Sequence, residues 1–204
     1  MLARLGSLVA SLALASTVSA QPVATPDRLC FHANPRQRCD WFLVTEAGFL
    51  RRVAPVYPYR EMMGAAALGA MRNVGSRTAV GGALVVHTNF DDRIRIGVTP
   101  RLRRWVGPSI AVDAAAGPVV STTADSVGAG APGFTTQVGI NVGGWITLRT
   151  QLDYVPPAER YGGLSAPFHW SVGASGESYL GAVGILGGLV VIAARAWADA
   201  WSGF

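Results

Sequence analysis

Few residues in this chain have the type and spacing to do chemistry. Cys30 and Cys39 bracket a polar stretch, CFHANPRQRC, with His32 inside it. Two thiols and one imidazole at this spacing match no common zinc pattern. An even, closely spaced pair reads instead as a disulfide, Cys30 with Cys39, formed in an oxidising compartment and stapling a short loop. The histidines are His32, His87 and His169. His169 and Ser171 lie two residues apart, so a strand would put them on one face. No acid stands beside them, and no GxSxG, HExxH, P-loop or GxGxxG pattern occurs. Asn89, Asp91 and Asp92 could approach a cation, but they lack the periodic oxygen ligands of a calcium loop. The expectation is therefore no catalytic residue, no metal, no cofactor and no enzyme activity. What remains is a set of carboxylates and guanidiniums: Glu46, Asp113 and Asp153 with Arg93, Arg95, Arg101, Arg103 and Arg149. Arginine grips a carboxylate with two parallel hydrogen bonds, the natural way to satisfy buried charge. If these side chains share an interior, they should form an ion network.

The elements that must position them are strands. From residue 41 onward the hydrophobic signal has period two. Ile94, Ile96, Val98 and Leu102 fall on one face, and Arg93, Arg95, Gly97, Thr99, Arg101 and Arg103 on the other; a helix would scatter both sets. The same alternation runs from Thr135 to Gly143, from Ile146 to Tyr154, around Ile110–Ala115 and around His169–Ser175. Three further segments, about 41–53, 61–73 and 76–87, alternate more weakly. The middle one contains MMGAAALGAM, which its alanines would also allow as a helix; two internal glycines and its place between strands favour a strand. The count is eight strands.

The connections alternate in length. Ala54–Arg60, His87–Asp92, Ser121–Pro132 and Pro156–Pro167 are long, whereas Asn73-Val74-Gly75, Gly107-Pro108 and Gly143-Gly144 are tight. A meander with long loops at one end and tight turns at the other is the layout of a transmembrane barrel of antiparallel strands. Alternation is the same whether the apolar face points inward, as in a soluble barrel, or outward, as in a membrane. The polar face carries little Glu, no Lys and several small residues (Gly97, Gly139, Gly143, Gly173), which suits the crowded interior of an eight-stranded barrel. Aromatics near strand ends (Trp41, Phe90, Trp105, Phe134, Trp145, Tyr154, Phe168, Trp170) are compatible with interfacial girdles.

Composition narrows the class. The chain has 204 residues, half of them hydrophobic and 14% charged, with a formal net charge of +5, too few charges for a disordered tail. Every basic residue is Arg, and the arginines are spread along the chain rather than clustered, which argues against nucleic acid as a partner. The run RLRRW at 101–105 could attract phosphate or lipopolysaccharide headgroups; beside the tight Gly107-Pro108 turn it reads first as a basic strand end.

Residues 1–20, MLARLGSLVASLALASTVSA, have the positive, apolar and small-residue regions of a cleavable signal peptide. Together with residues 21–40 as a disulfide-stapled segment and 41–176 as the strand array, the chain resembles small, eight-stranded outer-membrane β-barrel proteins of bacteria. FLVTEAGFLRRV, AMRNVGSRTAVGGAL and RIGVTPRLRRWVGPSIAVDAAAG look like strand–turn–strand units of such barrels. The resemblance implies an all-β, up-and-down antiparallel barrel in the outer membrane, porin-like in build. It implies membrane lipid, lipopolysaccharide and the barrel-assembly machinery as partners. Its role would be structural, a minor pore or surface interaction. The alternative is a soluble periplasmic barrel that binds a lipid or small apolar ligand.

Residues 177–204 are expected to form a C-terminal apolar helix. Ser178–Ala194 is uncharged, close to the shortest length that spans a bilayer, but carries Gly181, Gly184, Gly187 and Gly188. Gly184 and Gly188 form a GxxxG pair that would admit a close neighbour. The reading is a helix on the tight-turn end of the barrel or at the membrane surface, with a full span second.

Overall fold

The computed structural model describes residues 29–31, 39–53, 62–88, 93–123, 132–154 and 168–202. The expected signal peptide, His32, the Asn89/Asp91/Asp92 tip and most of the long loops lie outside them. The described elements are β1 (Leu29–Cys30), β2 (Trp41–Arg52), β3 (Met62–Gly75), β4 (Thr78–Thr88), β5 (Arg93–Trp105), β6 (Ile110–Thr123), β7 (Pro132–Val142), β8 (Ile146–Tyr154), β9 (Phe168–Glu177) and the helix α1 (Tyr179–Ser202). Strands β2 to β9 pair antiparallel in sequence order, and β9 returns to pair with β2 from Glu46↔Glu177 to Arg52↔Ser171. Closure of that last edge makes an eight-stranded up-and-down barrel, with β2 and β9 paired along Glu46–Arg52.

The alanine-rich MMGAAALGAM segment is a strand in β3, paired on both sides. Helix propensity is outweighed there by two complete ladders of backbone hydrogen bonds. The turn between β7 and β8 is built by Gly143 and Gly144, both left-handed with φ of 66° and 73°. Glycine takes that conformation without steric cost, and Asn141 Oδ1 accepts the Gly144 N–H to hold it.

Because β9 ends at the level of Glu46, the stretch Trp41–Thr45 of β2 overhangs the ring. Both flanking segments cover it. Strand β1 pairs parallel with Trp41 and Phe42, held by the Cys30–Cys39 disulfide. At the other end of the overhang, Thr45 Oγ1 donates to the Ser178 carbonyl.

Helix α1 departs from the expected placement. It seats on the outer wall of the barrel against β2 and β9, not on the tight-turn end. The glycines are the reason. A Cβ at Gly181 would lie 1.9 Å from the Thr45 carbonyl oxygen, and one at Gly184 would lie 2.6 Å from Ala47 Cβ, so only a bare helix backbone fits. Beyond this contact the helix leaves the wall: Gly187 and Gly188 meet nothing, and Leu186, Leu189, Val190 and Ile192 are exposed. The GxxxG pair is thus split, Gly184 against the barrel and Gly188 in open space. The uncharged run of the helix, about 24 Å at 1.5 Å per residue, is shorter than the ~30 Å hydrocarbon layer. No described helix is long and apolar enough to cross a membrane, which says nothing of the strands.

Candidate functional site

Strand parity decides which side chains meet. On β5, Arg95, Thr99, Arg101, Arg103 and Trp105 are buried in the lumen, while Ile94, Ile96, Val98 and Leu102 are exposed on the outer wall. The other strongly alternating strands follow suit: Ile140 is 51% exposed and Leu148 59%, whereas Glu46 is 2% exposed and Arg103 1%. The wall is apolar and the interior charged.

Three clusters fill that interior along its length. Near the tight turns, Arg103 donates through Nε and Nη2 to Asp113 at 2.6 and 2.7 Å, and through Nη2 to Glu177 at 2.8 and 2.9 Å. Thr147 Oγ1 also donates to Glu177, and the Arg103 guanidinium lies 5.7 Å from the Phe42 ring centroid. In the middle, Arg101 forks onto Glu46 at 2.5 and 2.7 Å, and Arg149 Nη1 reaches the same carboxylate at 3.3 Å. Towards the long loops, Arg95 Nη1 donates to Asp153 at 3.3 Å; Thr135 Oγ1 and Gln151 Nε2 donate to the same carboxylate at 2.7 and 2.9 Å. Gln151 Nε2 also lies 3.4 Å from His87 Nδ1. Arg95, Arg101, Arg103 and Arg149 thus face Glu46, Asp113, Asp153 and Glu177. A low-dielectric interior tolerates these charges because each has a bonded partner of opposite sign.

The structure therefore brings together Glu46, Arg95, Arg101, Arg103, Asp113, Arg149 and Asp153. Arg93 opens β5, but its side chain lies outside the described residues. Glu177 was missed by the sequence reading, which placed it with the helix; continuing the alternation Ser171, Gly173, Ser175 by one step would have put it on the inward face. His87 carried no such signal, because its strand mixes small residues on both faces. Trp105 corrects the girdle assignment. It faces inward, edge-on to Phe42 at 6.0 Å between ring centroids, in an apolar plug with Val44, Met71, Ala79 and Ala111. Odd-numbered parity on β5 takes Trp105 inside with Arg101 and Arg103. A second plug of Leu50, Met63 and Ala65 closes the β2–β3 side nearer the long loops. The RLRRW run is likewise divided: Arg101 and Arg103 point in, Leu102 and Arg104 out.

A void beside Glu46, Arg101 and Arg149 measures about 10 Å³, room for one water molecule at most. Arg149 is the least satisfied member, with Nε and Nη2 finding no hydrogen-bond partner among the described residues. His169 and Ser171 share the inward face of β9, yet Ser171 Oγ has no hydrogen-bond partner among the described residues, so the two are not bonded as nucleophile and base. No group of three metal-ligating side chains occurs among the described residues.

The fold and interior define a class: a closed eight-stranded β-barrel with apolar side chains outside and a packed ion network within. No protein-family model matches the chain, and no curated protein matches its sequence.

Proposed function

We propose that this chain is an exported β-barrel of a bacterial outer membrane, held rigid by its internal ion network, with a structural or surface-interaction role carried by its long loops. The observation that carries this reading is the inverted polarity of the barrel. Water would have to hydrate a continuous wall of Ile, Leu, Val and aromatic side chains while the charges hid inside. A bilayer removes that cost, because lipid solvates the wall and the closed ring of hydrogen-bond ladders satisfies the strand backbone within it. Strand lengths support it: the strands run from 9 to 14 residues, enough for tilted strands to cross a hydrocarbon core. Exposed aromatics lie towards both ends of the wall, Trp41, Trp145 and Tyr179 at the tight turns and Tyr154, Phe168 and Trp170 towards the long loops. The tight-turn end would face the periplasm.

A soluble lipid-binding barrel would need Ile94, Ile96, Ile140 and Leu148 to line a cavity and Arg95 to face water; the opposite orientation favours the membrane reading. The packed lumen favours a support or surface role over a pore. The deciding experiment is heat-modifiability of the full chain in the membrane fraction of expressing cells. A folded membrane barrel migrates anomalously on a detergent gel until boiled. A shift in the outer-membrane fraction is expected; an unshifted protein in the soluble periplasmic extract would overturn the reading.

A further inference from the structure

One charged feature of the outer wall takes no part in the ion network. Arg72 on β3 and Arg104 on β5 are exposed on the outward face near the tight turns, and Arg77 is exposed in the turn that leads into β4. Arg72 stands opposite Val80 and Arg104 opposite Thr78, so the two flank β4 from either side, about 12 Å apart once the two-residue offset along β4 is added to the spacing of the strands. Their long side chains can converge on one group, and Arg77 is exposed in the adjoining turn, its carbonyl accepting the Trp105 N–H. The Arg72 guanidinium lies 5.8 Å from the Trp41 ring centroid. None of the three arginines pairs with a carboxylate among the described residues. Above them the wall is purely apolar, with Val80, Leu84, Val98 and Leu102 exposed. The opposite wall at the same height presents Val142, Trp145, Ile146 and Tyr179, with no charge. Three unpaired cations at the border of an apolar band, beside an interfacial tryptophan, are complementary to a phosphate that sits on acyl chains.

We propose that Arg72, Arg77 and Arg104, with Trp41 beside them, bind the phosphate headgroup of an anionic phospholipid in the leaflet next to the tight turns. Its acyl chains run along Val80 and Leu102. The proposal rests on the membrane reading above. Basic residues at a lipid surface each strengthen attraction to anionic lipid about fivefold. The experiment is native mass spectrometry of the full chain, refolded in detergent micelles with equal amounts of phosphatidylglycerol and phosphatidylcholine bearing the same acyl chains. Phosphatidylglycerol should be retained at least tenfold over phosphatidylcholine. The triple variant Arg72→Gln, Arg77→Gln, Arg104→Gln should fall to near parity while keeping its heat-modifiable gel shift. Should the triple variant fail to fold, the three single variants decide, each expected to lower the preference up to fivefold. A wild-type preference that survives the substitutions overturns the site, as does the absence of any preference for phosphatidylglycerol. A chain with no heat-modifiable form overturns the membrane reading itself, whereas a folded barrel without lipid preference overturns only this site.

Discussion

Glu46 is the carboxylate on which two guanidiniums depend, and its neighbours are not equivalent. Arg101 makes two short bonds to it, whereas Arg149 makes one longer bond and leaves Nε and Nη2 unpartnered. Glu46→Gln removes the charge and strands both arginines in a buried site. It should cost about 3–5 kcal/mol of stability, the usual penalty for breaking a buried pair from one side. Arg101→Met should be severe for the same reason, since it deprives Glu46 of its fork. Arg149→Met should be the mildest of the three, because Arg101 still holds Glu46 and two unsatisfied donors are removed with the side chain. Urea midpoints of the folded barrel in phospholipid vesicles would rank the variants; Arg149→Met ranking as the most damaging would contradict this account. At this scale the sequence reading located most of the network. The charged residues already shared a parity, and a barrel interior is the one place where that parity converges.

The element scale separates wall from helix. Leu148 is at the middle of β8 and faces outward, so Leu148→Arg should destabilise a lipid-embedded barrel by about 2–4 kcal/mol, the cost of a cation near the bilayer midplane. In a soluble barrel the same change on an exposed position would be close to neutral, so folding in vesicles against folding in buffer gives a direct reading. Helix α1 depends on bare backbone at Gly181. In Gly181→Val the new side chain would collide with the Thr45 carbonyl, so the helix should lift off the wall. Limited proteolysis should then remove the C-terminal segment from the variant sooner than from wild type, while the barrel keeps its heat-modifiable migration. The glycines of this segment were visible from the start, but their partner was not. Nothing local says whether a glycine-lined helix will meet another helix, the barrel end or the outside of a strand.

For the whole molecule, closure is the property that matters. The ring is completed by β2 and β9, and the disulfide lies outside it, holding only the two-residue strand β1 to the overhang. Reduction of Cys30–Cys39 should therefore leave the heat-dependent gel shift intact; loss of the shift in reductant would mean that the staple supports the ring. The interior is closed as well as the wall. With Phe42 and Trp105 packed at one end and the ion clusters bonded along the length, the purified barrel should show no steady ion conductance in a planar bilayer. Sustained single-channel currents would show that the lumen opens.

Period-two alternation, the rhythm of long and tight connections and the paired cysteines were enough to establish strand number, meander order and the disulfide. These are local properties: strand geometry repeats every two residues, the left-handed Gly143–Gly144 turn demands glycine, and two thiols nine residues apart can meet. The turn expected at Asn73-Val74-Gly75 falls instead on Ser76 and Arg77, because backbone pairing carries β3 through Gly75. Parity also grouped the charged residues before any contact was known. Only the closed tertiary structure decided the direction of the polarity, because a flat strand is symmetric in pattern and inside exists only once β9 meets β2. The same closure brought Glu177 beside Arg103, turned Trp105 into a plug and set α1 against Thr45 and Ala47. Each of these depends on residues far apart in sequence, which the register of a ring brings to one height.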